Sequence, residues 1–219
     1  MIHWLINSTR YSRIDTNGTT LLQELERHQF LGSTPANPQS NPLSAHFELH
    51  IEQGPILFEA NHPVATVKGV QGWRWFEIKL QGRGSHAGTT PMTHRHDPLG
   101  AFARMVVAAE ELAVQHGGLA TIGRMSSIAP QSTNCVMDDV VFHLDVRHHE
   151  LAKLDRLEKA MRETFDGIVK SCQGVSMHSW ATLDITHPTT FDALAVNCIR
   201  EATKSYPEEV LISGAGHDS

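Results

Sequence analysis

Four short segments carry side chains that could do chemistry, each set among small or rigid neighbours. The first is Glu48-Leu49-His50-Ile51-Glu52-Gln53-Gly54-Pro55. It reads as a strand running from Ala45 to Ile51 and stopped by Gly54-Pro55, with His50 at its rim. A neutral imidazole on a rigid strand end suits a metal ion, although a lone histidine there is more often structural. The second is Gly82-Arg83-Gly84-Ser85-His86-Ala87-Gly88-Thr89-Thr90-Pro91. Its glycine spacing is not that of a dinucleotide loop, and Ser85 lies in no GxSxG elbow. Small residues around His86 let backbone or substrate atoms come close, so its imidazole could donate to a developing oxyanion. The alternative is a plain glycine-rich turn. The third pairs Asn134, in Ser132-Thr133-Asn134-Cys135, with Arg147 further along. Asparagine offers a donor and an acceptor, and the arginine fork matches a carboxylate; both are also common as solvated surface groups. The fourth, Ser213-Gly214-Ala215-Gly216-His217-Asp218-Ser219, again leads small residues up to a histidine.

The elements that must position these groups follow from hydrophobic rhythm. Thr19 or Thr20 can cap a helix whose apolar stripe is Leu21, Leu22, Leu25 and Phe30. The Pro/Asn/Ser-rich stretch 32–42 reads as a loop, and Val64 to Val70 as a strand. Phe76, Ile78 and Leu80 alternate with Glu77 and Lys79, the period of a half-buried strand. Asp97-Pro98 opens a helix carrying Phe102, Met105, Val106, Ala109 and Leu112, which Gly117-Gly118 ends. A strand over 120–128 follows. Val140, Phe142, Leu144 and Val146 then alternate with Val141, His143, Asp145 and Arg147. A helix over 150–171 presents Leu151, Leu154, Leu157, Met161, Phe165 and Ile168. The last strand, 175–185, places Val175, Met177, Ala181, Leu183 and Ile185 on one parity. This order, strand-helix-strand-strand-helix-strand, is a split βαβ layer with two helices on one face. It covers 72–185, so the flanks 1–71 and 186–219 belong to something else and should meet in space.

Bulk properties narrow the classes. A chain of 219 residues with 40% apolar and 19% charged residues is an ordinary globular composition. Its net charge of -6 and lack of a Lys/Arg run argue against nucleic acid and anionic membranes. No segment approaches the ~20 apolar residues of a membrane span, and no secretion signal is read at the start. Cys135, Cys172 and Cys198 form no CxxC pair, which fits reduced thiols in a cytoplasmic protein. The fifteen histidines are the compositional oddity.

Taken in order, His-Ile-Glu-Gln-Gly-Pro, Gly-Ser-His-Ala-Gly-Thr-Thr-Pro-Met, the span from Asn134 to Arg147, and Ser-Gly-Ala-Gly-His-Asp resemble the hydantoinase/carbamoylase family of amidohydrolases. The resemblance covers about 14–219. It implies an α/β fold: a di-metal aminopeptidase-like catalytic domain, partial here over 1–71 and 186–219, with an inserted ferredoxin-like (βαββαβ) lid and dimerisation domain over 72–185. It implies two divalent metal ions, Zn or Mn, and metal-activated water that hydrolyses the non-peptide C–N bond of N-carbamoyl (ureido) amino acids. N-carbamoyl-β-alanine and N-carbamoyl-L-amino acids are examples. His50 is implied as a metal ligand, and His86 of one subunit as the group that stabilises the tetrahedral intermediate in its homodimer partner's site. Gln53, Asn134, Arg147, Gly216 and His217 are implied as substrate contacts, Arg147 holding the carboxylate.

In the family pattern the other metal ligands and the glutamate base fall before a region like 11–30 or beyond one like 216–218. His50 is therefore the only ligand of that set expected in this sequence, and one imidazole does not hold a catalytic ion. The expectation is an enzyme-family chain that retains neither ion and is inactive alone. Its alternatives are a non-catalytic dimerising or ligand-binding remnant, and a peptidase of the same clan.

Overall fold

In the computed structural model, residues 11–33, 42–128 and 132–217 are described, and they divide between two compact units. The first unit contains the described residues up to Ile51 together with His217; the second is Glu52–Gly216. The loop expected over 32–42 and the end of the fourth motif, Asp218-Ser219, lie largely outside the described residues.

Helix α1, Leu21–Arg27, belongs to the first unit. Thr20 accepts from the Gln23 amide and Gln23 reaches back to the Thr20 amide, a capping box that satisfies two orphan donors. The helix ends before Phe30, because Gln29 adopts a left-handed conformation with φ 58°. The strand expected over 45–51 is not formed. A strand exists by its ladder, and no described segment pairs with this one.

In the second unit, Glu52 accepts from the amides of Ile56 and Leu57 at 2.8 Å, opening the short helix α2, Ile56–Ala60. Strand β1, Thr66–Val70, leads into β2, Gly72–Gln81. The two-residue strand β3, Ser85–His86, follows, then helix α3, Pro98–His116, with Asp97 as its cap and Gly117 in the left-handed C-terminal position. Next come β4 (Leu119–Ser126), β5 (Cys135–Val136), β6 (Asp139–His148) and helix α4 (Leu151–Ser171). The chain continues through β7 (Ser176–Thr186), β8 (Thr189–Thr190), helix α5 (Ala193–Ala202) and β9 (Val210–Ser213).

Strands β4-β6-β2-β7 form one four-stranded antiparallel sheet. Counted within the layer as first to fourth, the spatial order is second-third-first-fourth. One face of the sheet supplies Phe76, Ile78, Leu80, Val140, Phe142, Leu144 and Val146 to a core completed by Met105 and Ala109 of α3 and Leu154, Leu157, Met161 and Phe165 of α4. Both helices therefore cover the same face. Fully burying each large side chain is worth ~1.5–3 kcal/mol, so this cluster dominates the layer's stability.

The last strand departs from its expected parity. Val175 and Met177 face the core, but Leu183 and Ile185 are half exposed and Trp180 packs inward instead. The β2–β7 register shifts between Lys79 and Leu80 and again between Trp75 and Phe76. The first shift turns Trp180 rather than Ala181 to the core face, and the second, at Leu183, restores the original parity at Ile185, opposite Arg74. Trp180 then fills the end of the core, with ring centroids 5.3 Å from Phe76 and 5.7 Å from Phe165.

Outside the layer, β1 pairs antiparallel with β8 and parallel with β9 in a three-stranded sheet. Segments before and after the four-stranded layer thus pair with one another.

Candidate functional site

In the first unit, Glu48, His50 and His217 offer one donor atom each, all within 4.8 Å of one another. The imidazoles of His50 and His217 meet edge-on at 4.8 Å between centroids, and Nδ1 of His217 lies 4.0 Å from Oε1 of Glu48. Nδ1 of His50 is 2.6 Å from the Ile51 carbonyl. A carbonyl can only accept, so Nδ1 carries the proton and Nε2 carries the lone pair that a metal takes. Two imidazoles and a carboxylate is a known catalytic zinc donor set. Ligands ~2.1 Å from one ion stand no more than ~4.2 Å apart, so the three groups close on an ion with a small inward adjustment. The donor set fits a divalent metal, whereas the sequence led to the expectation of one ligand and of a chain that retains neither ion. The sequence singled out His50, as an expected ligand, and His217, as an expected substrate contact, but not Glu48, two residues before His50. Its signal was the alternation Glu48-x-His50, which sends both side chains the same way along extended backbone.

The second unit holds the remaining candidates. Gln53 adopts φ 54°, a left-handed conformation uncommon for a residue with a side chain and often found at functional turns. The turn is fixed by Glu52, whose carboxylate caps α2, and by Gly54, where an added Cβ would stand 2.9 Å from that carboxylate.

His86 and Asn134 are brought together by the small ladder of β3 and β5, in which His86 pairs with Cys135. The Ala87 amide donates to the Asn134 carbonyl at 2.8 Å, and the Asn134 side chain accepts from Ser132 Oγ at 2.7 Å. His86 is exposed. Its Nδ1 accepts from the amides of Gly88 at 3.1 Å and Thr89 at 3.2 Å. The base of the loop is tied down by Gly82 and Gly84, whose amides bond the carbonyl and the carboxylate of Asp138.

Arg147 lies on the open face of the four-stranded sheet, beside Trp73 of β2. Its Nε and one terminal nitrogen donate to Asp145 at 2.6–3.0 Å, and the other terminal nitrogen donates to the Gly214 carbonyl at 2.7 Å. The Trp73 ring lies 5.7 Å from the guanidinium, and its Nε1 donates to Asp184 at 2.7 Å. A Cβ added at Gly216 would touch the same Trp73 ring at 3.4 Å. Trp73 thus joins Arg147 and Gly216, a link that no spacing in the sequence announced. Three of the five N–H groups of Arg147 are engaged in these bonds, which leaves one on each terminal nitrogen.

A second group of metal-capable side chains, His148, His149 and Glu150, sits where β6 meets α4. Glu150 is paired with Lys153 at 2.6 Å, and the buried His148 accepts the Glu150 amide through Nδ1 at 2.8 Å. The positive end of α4 also opposes a cation there. Burial, and then the charges of His149 and Lys153, push the His148 imidazole below its ordinary range. Among the described residues, no helix is long and apolar enough to cross a membrane.

No family model matches the chain. It is similar to the N-carbamoyl-L-amino-acid amidohydrolase of Rhizobium meliloti, 34% identical over 214 residues, covering 95% of this chain and 50% of that protein. It is also similar to the allantoate amidohydrolase of Escherichia coli (strain K12), 30% identical over 214 residues, covering 94% of this chain and 50% of that protein. The crystal structure of an amidase of the hydantoinase/carbamoylase family from Burkholderia vietnamiensis superposes with a TM-score of 0.84 at 35% identity, over 96% of this chain and 51% of that one. The chain spans about half the length of the curated relatives it matches.

Proposed function

We propose that this chain, which belongs to the hydantoinase/carbamoylase family of amidohydrolases, is part of an enzyme that hydrolyses the C–N bond of a ureido acid, an N-carbamoyl-L-amino acid or N-carbamoyl-β-alanine. The observation that carries this reading is the donor set of Glu48, His50 and His217. Zinc or manganese held there would supply Lewis acidity and bring the pKa of a water toward ~7.

The chain's own residues divide the remaining work. Arg147 binds the substrate carboxylate through its two remaining N–H groups, its plane set by Asp145 and the Trp73 face. Gln53, Asn134 and Gly216 line the ureide. His86 donates Nε2–H to the oxyanion, since its Nδ1 is already engaged as an acceptor. We read 72–185 as a ferredoxin-like lid inserted between two parts of a catalytic domain, 1–71 and 186–219. The strand order of the layer and the pairing of β1 with β8 and β9 support this.

Dimerisation through the lid, with His86 serving the partner's site, is favoured by the exposed Val106, Val107 and Val114 on the outer side of α3. The three free thiols fit a cytoplasmic enzyme.

Metal binding tests the reading. Calorimetric titration of the chain with Zn or Mn should show a site that His50→Ala and His217→Ala each weaken by more than tenfold, alongside ammonia release from N-carbamoyl amino acids by the complete enzyme. Binding that survives loss of both imidazoles would place the metal elsewhere and end this assignment.

A further inference from the structure

We propose that Arg95 is a positioning residue that fixes the tautomer and direction of the His86 imidazole. The proposal rests on the reading of His86 as the oxyanion donor.

A ring nitrogen that accepts hydrogen bonds carries no proton. Nδ1 of His86 accepts from the amides of Gly88 and Thr89, so the neutral ring holds its proton on Nε2. Those two amides lie in the turn 87–90, which the Thr90 amide closes on the His86 carbonyl at 3.1 Å. Arg95 grips both ends of this turn. Its Nε donates to the Thr90 carbonyl at 3.1 Å, and a terminal nitrogen donates to the Ala87 carbonyl at 2.6 Å. Arg95 is half-buried, which keeps these charge-assisted bonds partly out of competition with water.

The planar guanidinium sets the spacing and tilt of two carbonyls at once, which a point-charge donor does not. With Ala87 and Thr90 held, the amides between them stay aimed at Nδ1. The Arg83 amide, donating to the His96 carbonyl at 2.9 Å, anchors the neighbouring stretch of the loop. Without the guanidinium, the turn can rotate its amides away, and the ring is released to populate both tautomers. A donor that must meet an oxyanion as charge develops needs the proton in place beforehand.

Nitrogen NMR on the chain labelled at its histidines tests this, with His86→Gln identifying the His86 signals. The wild type should show an unprotonated Nδ1 and a protonated Nε2. In Arg95→Ala the two nitrogen shifts should move toward each other, and Arg95→Gln, which keeps a single amide donor, should fall between. A proton on Nδ1 in the wild type overturns the proposal, as do unchanged shifts in an Arg95→Ala chain with native circular dichroism. If Arg95→Ala does not fold, unchanged shifts in Arg95→Gln overturn it. Should the tautomer depend on Arg95 while His86→Ala in the complete enzyme turns over as fast as wild type, the clamp stands and the catalytic reading of His86 fails.

Discussion

The four-stranded layer and the segments on either side of it are built on different principles. In the layer, alternating sheet residues and two helical stripes converge on one core, and Phe76, Phe142, Leu144 and Phe165 are essentially excluded from solvent. In the flanks, α1 and α5 bury no residue, and Leu49, beside the metal-capable His50, is 98% exposed. The layer is stabilised by its own packing, whereas the flanking segments owe their shape to caps, turns and short ladders. Candidate chemistry occurs in both, but only in the layer does it rest on a packed scaffold.

The largest expected effect tests that contrast directly. Phe142→Ala should destabilise the layer by about 3–5 kcal/mol in denaturant unfolding. Leu49→Ala should change stability by no more than about 0.5 kcal/mol, as for exposed positions generally. A comparable cost at both positions would remove the distinction.

His86→Ala asks whether a rigid base can carry a dispensable side chain. In the complete enzyme, turnover should fall on the order of 10²–10³-fold, while the melting transition of the chain stays within about 0.5 kcal/mol. Equal losses of turnover and stability would make His86 a structural residue.

The smallest effect is a pH dependence confined to the layer. Burial lowers the His148 pKa below its ordinary 6.5, so the unfolded chain binds the proton more readily. The stability tied to the neutral ring is full above about pH 6.5 and declines as pH drops below that value toward the folded pKa. The melting temperature should therefore fall on going from about pH 7.5 to 5.5, and His148→Gln should flatten that slope. An identical slope in the variant would assign the dependence to other groups.

Much of the layer was legible because its signals are local. Asp97-Pro98 and Gly117 bracket α3 where the sequence placed its ends, and the alternation from Val140 to Arg147 matches the burial of β6. The expected strand over 45–51 failed for the opposite reason: its pattern is real, but a strand needs a partner that no local sequence names. The parity of β7 failed through two register shifts, which are set by pairing with β2. In the candidate site, His50, His86 and Arg147 stood out by residue type and setting. Glu48, Trp73 and Arg95 did not, because their roles come from what they touch.

The sequence by itself determined the order of elements, the apolar faces that pair them, and a set of polar residues flanked by glycines. Periodicity and backbone permissiveness are properties of neighbouring residues, so they survive in one dimension. Tertiary structure decided that Glu48, His50 and His217 share one cluster, that Trp180 rather than Leu183 enters the core, and that the Arg95 fork holds the turn beneath His86. Each of these depends on the distance between groups separated along the chain or on the direction of a side chain in space, and hydrogen bonds and metal donor sets are decided by distance and direction.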